Sequence, residues 1–253
     1  MTTLETIATK KMMTTKEKMN SIQGTARIAG VLYLLIAILS IPVHFLIPAQ
    51  LIVPGDATTT ANNIMASEGL FRMGIGTELV LLLSEIVLSI LLYVLFKPVN
   101  KTLSLVAAVS RLAMTTIHGV NVLTHFIVLL LLSGASYLTV FAPNQLHALV
   151  MVFLDAYDYG FTLGIVFLFL HALILGYLIF KSGYFPRILG VLFVIASLGY
   201  LIDGFSHVLF ANYQKGPVYL ALPIAIAEIA FPLWLLIKGV NGEQWEKRAL
   251  ESA

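Results

Sequence analysis

The 253-residue sequence contains no cysteine, which excludes disulfides, thiolate metal sites and cysteine nucleophiles. Charged residues are also scarce. They make up 11% of the chain, whereas about a quarter of the residues in ordinary soluble domains are charged. The net charge of +2, with six neutral histidines, is too small for nucleic acid binding. Hydrophobic residues, by contrast, reach 59%, which indicates a membrane protein.

Long apolar runs divide the chain into membrane spans, because a helix needs about 20 mostly apolar residues to cross the hydrocarbon core. The first run is not a signal peptide, since it has no small-residue cleavage pattern. We predict an all-α fold, a polytopic membrane protein with a bundle of six transmembrane helices. The predicted spans cover residues 27–47, 74–96, 103–133, 147–181, 187–210 and 218–238.

The polar segments suggest how the rest of the chain is organised. The loop at about residues 48–73 is predicted to lie outside and to contain a short helix, which Asp56 or a following threonine caps. Gly183 and Pro186 predict a tight turn between spans four and five. The predicted parts are a disordered basic cytoplasmic tail (1–22), the six-helix transmembrane domain (23–240) and a cytoplasmic C-terminal tail (241–253).

Basic residues lie mainly on one side of the predicted bundle, and the side richer in Lys and Arg is normally cytoplasmic. The opposite loops carry only Arg72 and Lys215. Both termini are therefore predicted to be cytoplasmic. The basic residues of the cytoplasmic side are Lys10, Lys11, Lys16, Lys18, Arg27, Lys97, Lys101, Lys181, Arg187, Lys238, Lys247 and Arg248.

Four segments of the sequence are specific enough to indicate a family. They are "LIVPGDATTTANNIMASEGLFRMGI", "FLDAYDYGF", "YLIFKSGYFPRILGVLFVIASLGYLID" and "LWLLIKG". Over roughly residues 20 to 240, the chain resembles the bacterial multi-pass membrane family catalogued as domain of unknown function 4386. The resemblance implies an integral protein of the bacterial cytoplasmic membrane. It supplies no activity and no catalytic residues.

Polar residues recur at helical spacing within the spans, although ionisable groups are costly in lipid. Span three carries Arg111, Thr115, His118 and His125 at offsets of zero, four, seven and fourteen, which places them on one face. Other spans also carry polar residues along one helix face, which we call polar stripes. A bundle buries such stripes by turning them toward one another. They comprise Tyr33, Ser40 and His44 in span one, Glu78, Glu85 and Ser89 in span two, Tyr200, Asp203 and His207 in span five, and Glu228 in span six.

Depth is a second common feature, because most of these groups fall in the predicted outer half of the bilayer. The stretch "LDAYDYG" adds two further acids there. We therefore predict a polar chamber that opens outward, whereas Arg111 and His171 are expected on the inner side of the bilayer. The chamber is expected to be built by Glu85, His118, His125, Asp155, Asp158, Asp203, His207 and Glu228.

Each polar residue also has a structural interpretation. A single acid can fix helix register by an interhelical hydrogen bond, and Asn121 is typical of such a bond. Glu78 is near enough to the membrane interface to be solvated. Arg111 is near enough for its guanidinium to reach the lipid headgroups. His171 can be an ordinary packing residue, and Glu228, between two prolines, can cap a broken helix.

One interpretation of the chamber is a membrane-embedded enzyme acting on a lipid or other apolar substrate. Histidine and carboxylate groups spaced by three or four residues are typical zinc or iron ligands, and a bound metal can activate water. Glu85, Glu228 and Asp158 are then the candidate catalytic acids and bases. The candidate metal ligands are His118, His125, Asp155, Asp203 and His207.

Three alternatives stay open at this point. The same acids could protonate a prenyl or other lipid chain without metal. They could form a small proton- or cation-coupled carrier, for which Glu228 between Pro223 and Pro232 resembles a broken transport helix. The stripes could also only hold together a non-catalytic scaffold. Membrane lipids are the expected partners in each case, with a possible homodimer.

Overall fold

The computed structural model describes residues 3–210, 213 and 218–252. The fold is all-helical, as predicted: it is 87% helix, and the described residues include no strand. A π-helical turn, Pro42–Leu46, separates the first two helices at Pro42, which cannot donate a backbone hydrogen bond. The α-helices of the described residues are α1 (Thr3–Ile41), α2 (Ile47–Leu51), α3 (Ala57–Ala66), α4 (Glu68–Phe96), α5 (Lys101–Leu131), α6 (Pro143–Ser182), α7 (Arg187–Leu209), α8 (Val218–Ile237) and α9 (Gly242–Glu251).

Five helical segments of the described chain are long and apolar enough to cross a membrane, and a sixth span results if α8 and α9 are counted together. The protein is therefore a multi-pass membrane protein. The five segments agree with the first five predicted spans, and α8 agrees with the last. They are Met19–Leu51, Glu68–Phe96, Lys101–Leu131, Pro143–Ser182 and Arg187–Leu209.

The long helices are arranged as a ring. Along it α1 packs against α4, α4 against α5, α5 against α6, α6 against α7, α7 against α8, and α8 against α1 again. Across the ring, α4 and α6 touch only slightly. Side chains that point inward from different helices therefore meet on the axis of the bundle.

One end of the bundle, which we call the loop end, carries α2, α3 and residues 132–142. The predicted short helix is present there as α3. As predicted, Asp56 caps it by accepting hydrogen bonds from the Thr59 backbone N–H at 2.9 Å and the Thr59 hydroxyl at 2.6 Å. These bonds hold the pKa of the Asp56 carboxyl below its ordinary value. The Thr60 hydroxyl then ties α3 to the backbone of Val53.

The other end, which we call the turn end, carries residues 97–100, residues 183–186 and α9. Gly183 ends α6 with a φ of +78° and Pro186 precedes α7, which confirms the predicted tight turn. The predicted C-terminal tail contains α9, at 100° to α8. Trp245 of α9 donates a hydrogen bond to the Leu95 carbonyl at 3.0 Å. At the other terminus, residues 3–22 of the predicted disordered tail fall within α1, a stretch without proline.

Apolar clusters fill both ends of the bundle. The first, the turn-end cluster, is a set of aromatic rings in mutual contact and comprises Phe96, Tyr184, Phe185, Phe193 and Phe231. The second, the loop-end cluster, joins α2 and α3 to the bundle and comprises Leu51, Ile64, Phe71, Ile75, Val122, Val128, Leu129, Val150 and Leu154. The polar side chains of the interior lie between these two clusters.

Candidate functional site

A buried ion pair lies at the centre of the ring. The Arg111 Nε of α5 donates a hydrogen bond to the Glu85 carboxylate of α4. Both side chains are almost fully buried, at 3% and 9% exposure. Arg111 therefore does not snorkel to the headgroups, which was one of its two interpretations. It stays in the interior because Glu85 compensates its charge.

His171 of α6 completes one side of this arrangement. Its Nδ1 lies 2.9 Å from the Ala107 carbonyl, so Nδ1 carries the proton and donates. Its Nε2 is then free to accept from Arg111 Nη1, at 3.0 Å. His171 is neutral in this geometry, and it belongs to a polar network rather than to ordinary apolar packing.

Two tyrosines extend the network to α1, α7 and α8. Arg111 Nη1 also donates to the Tyr33 hydroxyl at 3.4 Å, and its guanidinium lies over the Tyr33 ring. The Tyr200 hydroxyl donates to Glu228 at 3.1 Å, and Tyr33 also contacts that carboxylate. Each helix of the ring thus contributes one side chain. The resulting set, which we call the central network, comprises Tyr33, Glu85, Arg111, His171, Tyr200 and Glu228.

The central network lies near the middle of the membrane-spanning length. Arg111 is ten residues from the start of α5 at Lys101, and Glu85 is eleven residues from the end of α4 at Phe96. At 1.5 Å per residue, these separations correspond to about 15 Å, half the thickness of a hydrocarbon core of about 30 Å. The turn-end cluster adjoins the central network on its turn-end side, where Phe231 contacts the Tyr33 ring.

A line of polar contacts between α5 and α6 leads from the central network toward the loop end. His118 donates to the Phe161 carbonyl at 3.0 Å, and Asn121 donates to the Tyr157 carbonyl at 2.7 Å. Asn121 therefore makes the helix-to-helix bond expected of it. Both side chains lie against glycines, Gly164 under His118 and Gly160 under Asn121, where a Cβ would overlap them.

A second polar group, the outer triad, lies on the loop-end side and comprises Glu78, His125 and Tyr157. The Tyr157 hydroxyl donates to Glu78 Oε1 at 2.6 Å. His125 Nδ1 is 3.8 Å from Glu78 Oε2, too far for a hydrogen bond, and the His125 ring stacks on Tyr157. Glu78 is 3% exposed, so it is buried rather than solvated at the interface.

The candidate metal ligands do not converge. The described residues include no group of three or more His, Asp or Glu side chains that could hold a metal ion. Asp155 is exposed on α6. On α7, Asp203 accepts from Tyr213 and His207 contacts the Tyr159 ring. The zinc or iron site thus has no support in the geometry, because its predicted ligands lie on different sides of α5, α6 and α7.

The candidate catalytic residues are also separated. Glu85 and Glu228 both belong to the central network, whereas Asp158 is half-buried on α6. The predicted single chamber that opens outward is thus two polar groups, and the loop-end cluster covers the outer one. The Phe71 ring of that cluster contacts the His125 ring at a centroid distance of 5.2 Å.

The chamber predicted from the sequence did not include Tyr33, Arg111, His171 or Tyr200, which the structure places in the central network. For the tyrosines the signal was present, since each belongs to a polar stripe of its span. A tyrosine in a membrane helix is nevertheless ordinary at the interface, so its type alone indicates no network. His171 stands on no stripe of its own helix, and its role depends on where α5 lies.

A groove of about 520 Å³ lies elsewhere, on the outer surface formed by α5, α6 and α7. Its walls are apolar, so it contains no group for catalysis. Leu103, Leu173, Tyr177, Gly190 and Val194 are among its lining residues.

Comparison with known families gives this arrangement a context. The family model described as Domain of unknown function (DUF4386) matches residues 28–239. The chain belongs to this family. The resemblance inferred from the sequence is thereby confirmed. DUF4386 is a family of unknown function, so the comparison adds no activity to the geometry.

One relative of this DUF4386 member comes from Archaeoglobus fulgidus. It is an uncharacterised protein, 29% identical over 165 residues, which cover 65% of this chain and 82% of the relative. Because this relative is archaeal, the bacterial origin implied by the resemblance is not supported. No solved structure matches the chain.

Proposed function

We propose that the protein is a small proton- or cation-coupled membrane carrier whose coupling site is the central network. The observation that carries the proposal is the charge of that network. It contains two carboxylates, Glu85 and Glu228, and its described residues include one guanidinium, that of Arg111. His171 is neutral, so the network carries one excess negative charge unless a carboxylate binds a proton or a cation.

An excess buried charge is expensive, because the desolvation penalty is several kcal/mol per ion. Binding of one proton or small cation removes that charge. Glu228 is the natural site, since two hydroxyl groups contact it whereas Glu85 is already paired with Arg111. Ionisable groups at this depth are typical of ion pathways, and transporter sites lie near the bilayer midplane.

The apolar clusters support the same function. A carrier has to separate its site from water on at least one side at any time. The turn-end cluster and the loop-end cluster lie on opposite sides of the polar interior. We interpret this arrangement as an occluded state. To open on the other side, a carrier has to bend some of its helices. Helices bend at irregular points, and the chain has such points at the π-helical turn in the first span and at Pro223 and Pro232 within α8.

The charge distribution supports an orientation for the carrier. The basic residues at the turn end, among them Lys97, Lys181 and Arg248, are exposed. By the positive-inside rule this end faces the cytoplasm, as do both termini. The protein then lies in the cytoplasmic membrane, in contact with membrane lipids.

The enzyme hypothesis has less support than the carrier. Its proposed base Glu85 is bound to Arg111, and its proposed ligands lie apart. A pure scaffold would need the helix-to-helix bonds but not an uncompensated acid. The excess carboxylate therefore favours the carrier over both alternatives.

The proposal can be tested without knowledge of the cargo. Proteoliposomes on a solid-supported membrane are subjected to a pH jump or a sodium jump, and the transient current is recorded. A proton or cation that binds inside the membrane field displaces charge. We expect a transient current in the wild type. Glu228→Gln should abolish this current. Glu68→Gln, at the exposed start of α4, should preserve it. A wild-type current equal to that of protein-free membranes would overturn the proposal.

A further inference from the structure

Among the side-chain nitrogen and oxygen atoms of the described residues, one is buried and lacks a hydrogen bond: Oε2 of Glu78, in the outer triad. The other carboxylate oxygen accepts from Tyr157, so the carboxyl group as a whole is held in place. His125 Nδ1 is 3.8 Å from the unpartnered oxygen. A buried acceptor without a partner is costly, and such atoms in native structures call for an explanation.

We propose that Glu78 and His125 form a binding site for one proton, shared between Oε2 and Nδ1, on the loop-end side of the membrane. A proton on Oε2 donates to Nδ1, or a proton on Nδ1 donates to Oε2. Either form gives a partner to both atoms after a movement of less than about 1 Å, the difference between 3.8 Å and a normal hydrogen bond.

The surroundings favour a proton over a larger ligand. The His125 ring is stacked on Tyr157 at a centroid distance of 3.9 Å and meets Phe71 edge to face at 5.2 Å, so aromatic rings hold it in place. No third carboxylate or histidine joins the pair within the described residues, so the donor set for a metal ion is also lacking.

The titratable groups around the pair come from three helices. Glu78 is on α4, His125 on α5 and Tyr157 on α6. Asp158 acts on Tyr157 electrostatically from the same helix. Among the described residues, no Lys or Arg forms an ion pair with Glu78. The pair therefore has no internal cation to neutralise Glu78, and a proton from the loop side is the available one.

The use of this proton rests on the proposed function, in which the outer triad would load the proton that later reaches the central network. The line of His118 and Asn121 along α5 connects the two polar groups. The existence of the site does not rest on transport, because it follows from the local geometry of Glu78 and His125.

The experiment uses the full-length protein in lipid nanodiscs with ¹⁵N-labelled histidine. Ring signals are recorded from about pH 5 to about pH 9, the range in which histidine changes charge, and His125→Asn assigns the signal of His125. Infrared difference spectra over the same range report protonation of Glu78. The Glu78→Gln variant assigns the carboxyl band, because the band should be missing from its spectra. We expect one titration step of about one proton per chain at this site. In that step the His125 ring signals and the Glu78 infrared band should change over the same pH range.

The variants decide whether the proton is shared. Glu78→Gln should alter the pH response of the His125 ring, whereas Asp155→Asn, an exposed acid on α6, should leave it unchanged. A wild-type protein in which neither group responds to pH would overturn the proposal. So would a His125 response that is the same in Glu78→Gln, because the two groups would then titrate separately.

The outcomes separate this site from the carrier function. If the shared proton is observed and pH-jump currents are absent, the site is correct and the carrier function is wrong. If the currents are present and the shared proton is absent, the carrier function stands and this site is wrong.

Discussion

Arg111 and Glu85 face each other across α5 and α4 at mid-depth of the bundle, and neither is accessible from outside. Removal of one partner from such a pair leaves an uncompensated buried charge. Arg111→Gln should therefore lower the free energy of unfolding by about 3–5 kcal/mol. Thermal unfolding in detergent, followed by the loss of monodisperse protein, measures this effect.

The double variant provides the control for that prediction. Glu85→Gln combined with Arg111→Gln removes both charges, so part of the lost stability should return. Equal stability of Arg111→Gln and the wild type would contradict the ion pair as described.

Much of the fold could be predicted from the sequence because the bilayer imposes strong rules on it. Hydrophobic length placed the ends of the first five spans within eight residues. Asp56, Gly183 and Pro186 marked a helix start and a turn correctly. Helical spacing also showed that Arg111, Thr115 and His118 share a face. Each of these inferences uses local chemistry only.

The site could be predicted only in part, because its partners depend on which helices are neighbours. Periodicity gives the inward face of α5 but does not reveal that His171 of α6 meets Arg111 there. Depth along a span likewise placed Asp155 and Asp203 near His118, although they point in other directions. Metal-like spacing on separate helices thus overestimated how far the ligands converge.

The close packing of α5 on α6 gives a second prediction. A Cβ at Gly164 would overlap the His118 ring, which also bonds to the Phe161 carbonyl. Gly164→Ala should destabilise the protein by about 1–3 kcal/mol, as expected for overpacking. Gly76→Ala is the matched control, because nothing lies within 4 Å of a Cβ there. If both variants unfold at the same temperature, α5 and α6 do not approach each other this closely.

The cap of α3 gives a prediction on pH. The pKa of Asp56 is lowered in the folded state by the Thr59 hydrogen bonds, so the cap stabilises α3 above the unfolded pKa and is lost as pH falls through the folded one. We expect the Thr59 amide to keep its hydrogen-exchange protection down to the ordinary aspartate pKa of about 3.9 and to lose it only at lower pH. Asp56→Asn keeps a capping oxygen that does not titrate, so its protection should not show this pH step.

The proposed orientation predicts which residues are accessible from each side. Since the chain has no cysteine, single cysteines can be introduced without a background. Glu68→Cys at the loop end should react with an impermeant thiol reagent on intact cells. Lys97→Cys at the turn end should react only after permeabilisation. The reverse pattern would place the termini outside.

The most direct test of the carrier is the accessibility of Thr115, one helical turn from Arg111 and 5% exposed between the two apolar clusters. Thr115→Cys is labelled with an impermeant reagent in right-side-out and inverted vesicles, with the lipid-facing Val109→Cys as the unreactive control. A carrier that alternates between both sides predicts slow labelling from each side. Labelling from one side only, or from neither, would contradict it.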